Sequence, residues 1–263
     1  MAFGDTPRLV LKKNPVEEAK CQVSFPPILA IAAKLPSDFQ EVIRLVFPLV
    51  ERQMSVKMPT LPSGIPPAVA KSFEQSFSLM GEPAYLFSTE DKSTVLNLSQ
   101  KSLVLTTKLY DRWESLRDRF LFSVNALVDV YRPAYFTHTC VKYKNSVRPG
   151  ELDAEDRPWS SILAPWVAGP LGTEGIFPPI KNFRSNCSFS LPDEAGTLEA
   201  SFGLVADKSP KRFAFSIESH TFHSVKKGKD DVASRLDVLQ GQAGSFFRSC
   251  FTNDFLETVR SES

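Results

Sequence analysis

The sequence predicts an α+β fold: two antiparallel meander-plus-helix halves, with the sheets covered by amphipathic helices. Three observations point there. Short apolar-alternating runs separated by turn residues come in threes, at 85–107 and again at 186–222. Each trio precedes a longer stretch with apolar residues at helical spacing, at 113–131 and 231–250. Between them, residues 149–182 hold six prolines and four glycines and read as a connector. The N-terminal half is therefore 1–148 and the C-terminal half 183–263, either as twins or as parts of one shared sheet.

Residues 1–15 read as a lead-in ending at Pro15. In Val16–Phe25 the residues Ala19, Cys21, Val23 and Phe25 alternate with Lys20, Gln22 and Ser24, which predicts a half-buried strand stopped by Pro26 and Pro27. Phe39, Val42, Ile43, Val46 and Phe47 follow helical spacing, with Ser37 or Asp38 as cap and Pro48 as terminator. Met54–Pro67 is proline-rich, with a strand expected around Val56 and Met58. Tyr85–Phe87, Thr94–Leu98 and Leu103–Thr107 form the first meander. Trp113, Leu116, Phe120, Val124, Leu127, Val128 and Tyr131 make one apolar helix face, closed by Pro133. Phe136–Val147 is a long strand. A short helix is expected near Trp159–Val167.

The second meander comprises Asn186–Leu191, Thr197–Ala206 and Arg212–Phe222. Asp230 or Asp231 caps the last long helix, whose face is Val232, Leu236, Leu239, Ala243, Phe246, Phe247 and Cys250. Gly241 and Gly244 are expected to let that helix approach the sheet closely, and a short helix follows at Asp254–Val259.

Composition narrows the function classes. The chain has 263 residues, 42% apolar and 23% charged, with 21 Phe, which suits large packed cores and excludes wholesale disorder. The formal charge is +1, so no global field draws it onto nucleic acid or a membrane. No run is long and apolar enough for a membrane helix, and Met1–Lys13 has no signal-peptide core, so a cytoplasmic location is expected. Cys21, Cys140, Cys187 and Cys250 stand far apart and read as reduced, buried thiols.

Few residues stand in a pattern that spells out chemistry. His220 and His223 differ by three, which puts them on opposite faces of a strand, and His138 stands on another strand; no metal site and no cofactor are expected. Gly169–Gly175 lacks the Lys-Ser or Lys-Thr of a phosphate loop. Glu90 and Asp91 read as turn formers rather than a carboxylate pair. One strand stands out: Lys142 and Lys144 share one face, Tyr143 and Asn145 the other, and Arg148 lies just beyond. With the loop residues Lys226, Lys227 and Lys229, these eight are the candidate binding residues, facing an acidic protein surface or a nucleic-acid backbone.

Several segments also carry a likeness to known sequences. Tyr85-Leu86-Phe87-Ser88-Thr89-Glu90-Asp91 has the form of an aromatic-x-Phe-Ser-x-acid-Asp hairpin, and Tyr110-Asp111-Arg112-Trp113 that of a Tyr-x-x-Trp helix opening. Cys140–Val147 parallels a Leu-Arg-Tyr-Ile-Asn-Arg-Ile strand, with Lys142 for the first Arg, Lys144 for the apolar residue and Ser146 for the second Arg. The final helix, Leu236–Phe251, has Gln240 where a His is frequent, and Pro15-Val16-Glu17-Glu18-Ala19 matches at the start. In order and spacing these segments resemble an uncharacterised family of sporadically distributed prokaryotic proteins of similar length. The resemblance implies a two-part α+β architecture and no established function. The expected function is a non-catalytic binding or regulatory role in a prokaryotic cytoplasm, through a protein partner or self-association; the sporadic distribution is associated with defence or mobile elements. The alternatives are an enzyme with an unrecognised site and a nucleic-acid-binding protein using the basic residues at 142–148 and 226–229.

Overall fold

Alternation along the chain builds one antiparallel sheet in the computed structural model, which describes residues 3, 11–55, 82–152, 154, 156–173, 180–206, 213–226, 228 and 230–260. In chain order the strands are β1 (Val16–Ser24), β2 (Leu49–Ser55), β3 (Glu82–Ser88), β4 (Thr94–Ser99), β5 (Ser102–Thr107), β6 (His138–Val147), β7 (Arg184–Leu191), β8 (Gly196–Ala206) and β9 (Phe213–His223). In space the nine run β2-β3-β4-β5-β1-β6-β9-β8-β7. The order is nearly symmetric: one meander, β3-β4-β5, flanks β1, and the other, β9-β8-β7, flanks β6. The β6–β9 pairing joins the strands of 1–148 to those of 183–263, so both halves contribute to a single sheet.

The meander registers follow from burial. Leu96 faces Leu105 and Leu98 faces Leu103 across β4 and β5, and all four are fully buried. Such cross-strand apolar pairs fix register, because a slip of one residue would expose every one of them. The preceding turn is held by Asp91, whose carboxylate accepts from the Thr89 hydroxyl and from the Ser93 amide and hydroxyl. Those bonds pull the Asp91 carboxyl down to about 2. In the second meander, Gly196 at φ +123° lies so close to β9 that a Cβ would collide with the Phe222 carbonyl.

The helices are α1 (Leu29–Ala33), α2 (Ser37–Ile43), α3 (Trp113–Tyr131), α4 (Trp159–Ile162), α5 (Pro165–Ala168), α6 (Asp230–Ser249) and α7 (Asn253–Val259), with 3-10 turns at Pro149–Glu151 and Gly169–Gly172. α3 buries Trp113, Leu116, Phe120, Val124 and Leu127, and ends where Arg132 turns left-handed and its amide bonds back to Val128. α6 lies across β6 and β9 and serves two cores. Its Val232, Leu236, Leu239 and Ala243 join a cluster with α3 and the first half, and its Phe246 joins a second with α4, α5 and α7. Trp113 Nε1 donates to Asp237 at 2.8 Å, and Arg117 pairs with the same carboxylate, which ties α3 to α6.

The structure corrects several expectations. No side chain caps α2: Ser37 is its first residue and Pro36 precedes it. The single helix expected at Trp159–Val167 is two, broken at Leu163, whose extended backbone bridges to Phe251. Phe246 is fully buried, whereas Phe247 is only half-buried. A Cβ on Gly241 would meet nothing within 4 Å, and one on Gly244 would meet only side chains of α6 itself, so neither glycine serves close packing on the sheet. The strand β2 at Leu49–Ser55 was not anticipated, because LVERQMS lacks clean alternation. The strand expected around Val56 and Met58 falls outside the described residues.

The sheet thus has two unlike faces. Ala19, Cys21, Val23, Val141 and Tyr143 point into the helix-covered cores. Among the described residues no helix packs on the other face, which carries Gln22, Cys140, Lys142, Glu199 and His220.

Candidate functional site

Period-two alternation puts His138, Cys140, Lys142 and Lys144 of β6 on the open face. The register pairs Cys140 with Phe222 and Lys142 with His220, so the even residues of β9 share that face. His138 and His220 flank the Cys140–Phe222 pair from opposite ends and lean inward over it. Their ring centroids are 6.3 Å apart, and Phe222 stacks beside both, at 5.5 Å from His138 and 4.9 Å from His220. One ligand atom from each of His138, Cys140 and His220 lies within 4.8 Å of the other two. A tetrahedral zinc site needs ligand atoms about 3.4–3.8 Å apart. Small rotations of two surface-side rings would close that difference.

The outer contacts orient the rings. His138 Nδ1 is 2.9 Å from the Ser224 hydroxyl, which leaves Nε2 for a ligand. His220 Nδ1 is 3.8 Å from the Glu199 carboxylate, the partner that metal-bound histidines commonly have. Burial lowers the pKa of both imidazoles, with further lowering of His138 by His220 and His223, and of His220 by Lys142 against the opposing pull of Glu199. Burial also pushes the Cys140 thiol up to about 12, against the pull of Lys142 and Lys20. His220 and Lys142 form one end of a groove of about 450 Å³ that runs across β9 and β8 past Glu218, Ser201 and Ser188.

The expected binding residues separate. Lys142 pairs with Glu218 at 3.9 Å, and Lys144 and Arg148 both reach Glu17, at 3.7 and 2.6 Å. These three cations share the open face near the end of β6, each beside a carboxylate. Burial raises the Glu17 carboxyl, and the Arg148 hydrogen bond with the charges of Arg148 and Lys144 outweighs this and holds it below its usual value. Lys226 lies at the opposite end of β6, 4.2 Å from the ring centre of Tyr135. Lys227 and Lys229 fall outside the described residues. Tyr143 and Asn145 face the helices. The Tyr143 and Tyr110 hydroxyls are 3.5 Å apart, and Asn145 Nδ2 donates to the Ile217 carbonyl on β9.

The His138–Cys140–His220 cluster is what sequence reasoning missed. The opposition of His220 and His223 holds: His220 is on the open face and His223 is buried opposite Thr139. The overlooked pair was across strands, and the i, i+2 spacing of His138 and Cys140 was the available signal. No protein-family model matches the chain, and a search of the curated proteins finds no match. Among the described residues no helix is long and apolar enough to cross a membrane.

Proposed function

We propose that the protein is metal-dependent, holding one borderline-soft divalent ion, zinc foremost, through His138, Cys140 and His220, with a fourth position left for water or substrate. The observation that carries this reading is the convergence of two imidazoles and a thiol from neighbouring strands within 4.8 Å. Nitrogen and sulfur donors in this number favour zinc over magnesium or calcium. Three protein ligands and an open position are the pattern of catalytic rather than structural zinc. Such an ion lowers the pKa of bound water and polarises a carbonyl or phosphoryl oxygen. The groove from His220 to Ser188 supplies the substrate side, where Lys142, Glu199 and Glu218 can orient a polar group.

Cobalt substitution tests this. Chelator-treated protein should take up one equivalent of Co²⁺ and show a thiolate-to-metal charge-transfer band, which Cys140→Ser removes. Azide should perturb the spectrum if the fourth position is open. A band that survives Cys140→Ser would assign the metal to another thiol, and no uptake would end the proposal. A spectrum indifferent to azide would leave a closed, structural ion.

A further inference from the structure

A separate cavity of about 580 Å³ opens in the first half, a size that takes a small organic ligand. The start of β4 and the end of β5 floor it, the first turns of α3 form one wall, and residues 45–48 form another. On the floor, the buried Thr94 and Thr107 hydroxyls are 3.0 Å apart. Arg119 of α3 donates Nη1 to the Thr94 hydroxyl at 3.2 Å, and among the described residues it has no carboxylate partner. Glu90, on the turn before β4, lines the same cavity and has no cation partner among the described residues. A guanidinium and a carboxylate thus border one space without pairing to each other. Asp91 is engaged by Thr89 and Ser93, and Asp111 holds Arg112 only loosely, at 3.9 Å. The rim is apolar: Leu45 is 93% exposed and Leu109 71%, with Val46 and Leu116 between them and the floor.

We propose that this cavity binds a free apolar α-amino acid. Its carboxylate takes the remaining N–H groups of Arg119, and its ammonium lies toward Glu90 and Asp111. Its side chain covers Leu45 and Leu109, which removes apolar surface from water. A zwitterion satisfies both signs of charge at once. A simple anion would meet Glu90, Asp91 and Asp111, and a simple cation would meet Arg112 and Arg119. Thr94 is on the helix-covered side of the sheet with Leu96 and Leu98, opposite the face of the histidine–cysteine cluster, and the proposal does not depend on the metal reading.

Isothermal titration of the full chain with L-leucine, in the presence of a chelator, tests this. Saturable one-to-one binding is expected. 4-Methylpentanoate lacks the ammonium and 3-methylbutylamine lacks the carboxylate, and each should bind at least tenfold more weakly; so should L-serine, which lacks the apolar side chain. Arg119→Gln should weaken leucine binding about tenfold through loss of a charge-assisted contact, and Glu90→Gln combined with Asp111→Asn should do the same from the ammonium side. These three side chains are exposed, so circular dichroism should be unchanged in both variants. Cys140→Ser should bind leucine as the native chain does. Absence of saturable binding, equal affinity for leucine and any of the three analogues, unchanged affinity in both charge variants, or loss of binding in Cys140→Ser would overturn the proposal.

Discussion

One strand, β6, serves two unlike surfaces. Its residues Thr139, Val141, Tyr143 and Asn145 are buried beneath helices, and its residues His138, Cys140, Lys142 and Lys144 form the open face. On the helix side stability comes from burial, with α6 pressing Leu236, Leu239 and Phe246 toward the sheet. On the open side the contacts are polar and local: Lys142 with Glu218, Lys144 with Glu17, His220 with Glu199. The difference teaches that alternation lets a single segment hold the fold together on one face while leaving the other free for chemistry. Substitutions on the two faces should therefore separate stability from metal binding.

The largest effect is expected on the helix side. Phe246→Ala removes a fully buried ring in contact with Trp166 and Phe189, and should cost about 3–5 kcal/mol in denaturant unfolding. A loss below about 1 kcal/mol would mean that α6 does not anchor the second core. On the open face, Glu199→Gln should leave unfolding nearly unchanged but weaken metal binding by roughly 10–100-fold, through loss of the carboxylate beside His220. Equal affinity in the variant would remove Glu199 from the site.

A smaller effect is expected from Lys142→Gln combined with Lys144→Gln. Lys142 is half-buried and Lys144 exposed, and both are paired loosely, at 3.9 and 3.7 Å, so the double variant should lose less than about 1 kcal/mol. A larger loss would show that the open face carries stability after all. The smallest is a pH effect at Glu17. Its folded-state pKa lies below the ordinary 4.5, so its contribution is present above that value and disappears as pH falls through the folded pKa. Glu17→Gln should flatten the acid limb of the stability curve in that window and lower stability modestly above it, with the difference from the native chain vanishing in acid. An acid limb identical in the variant would show that the Arg148 and Lys144 contacts do not discriminate the charged carboxylate.

The legible parts of the fold were those written in local periodicity. Trp113–Tyr131 matched to the residue because Trp113, Leu116, Phe120, Val124 and Leu127 repeat at helical spacing and Pro133 stops them. Both meanders were visible as strand and turn alternation. β2 was not, because an edge strand that leaves Val50 52% exposed needs no apolar alternation. The pairing of β6 with β9 was not legible either. Nothing in either strand names its partner, yet that register sets His220 against Lys142 and brings it over Cys140. The candidate metal cluster depends on this non-local step. That Tyr143 and Asn145 share one face and Lys142 and Lys144 the other needed only period two, and it matches the structure. Where Lys226 lies, over the Tyr135 ring, needed tertiary placement that strand period does not supply.

The central claim is that His138, Cys140 and His220 bind one ion together. X-ray absorption at the zinc edge on stoichiometrically loaded protein tests it directly. The account predicts one sulfur at about 2.3 Å and two imidazole nitrogens at about 2.0–2.1 Å, with one further light atom in the fourth position. A shell of oxygens and nitrogens without sulfur, or one that keeps its sulfur in Cys140→Ser, would contradict it.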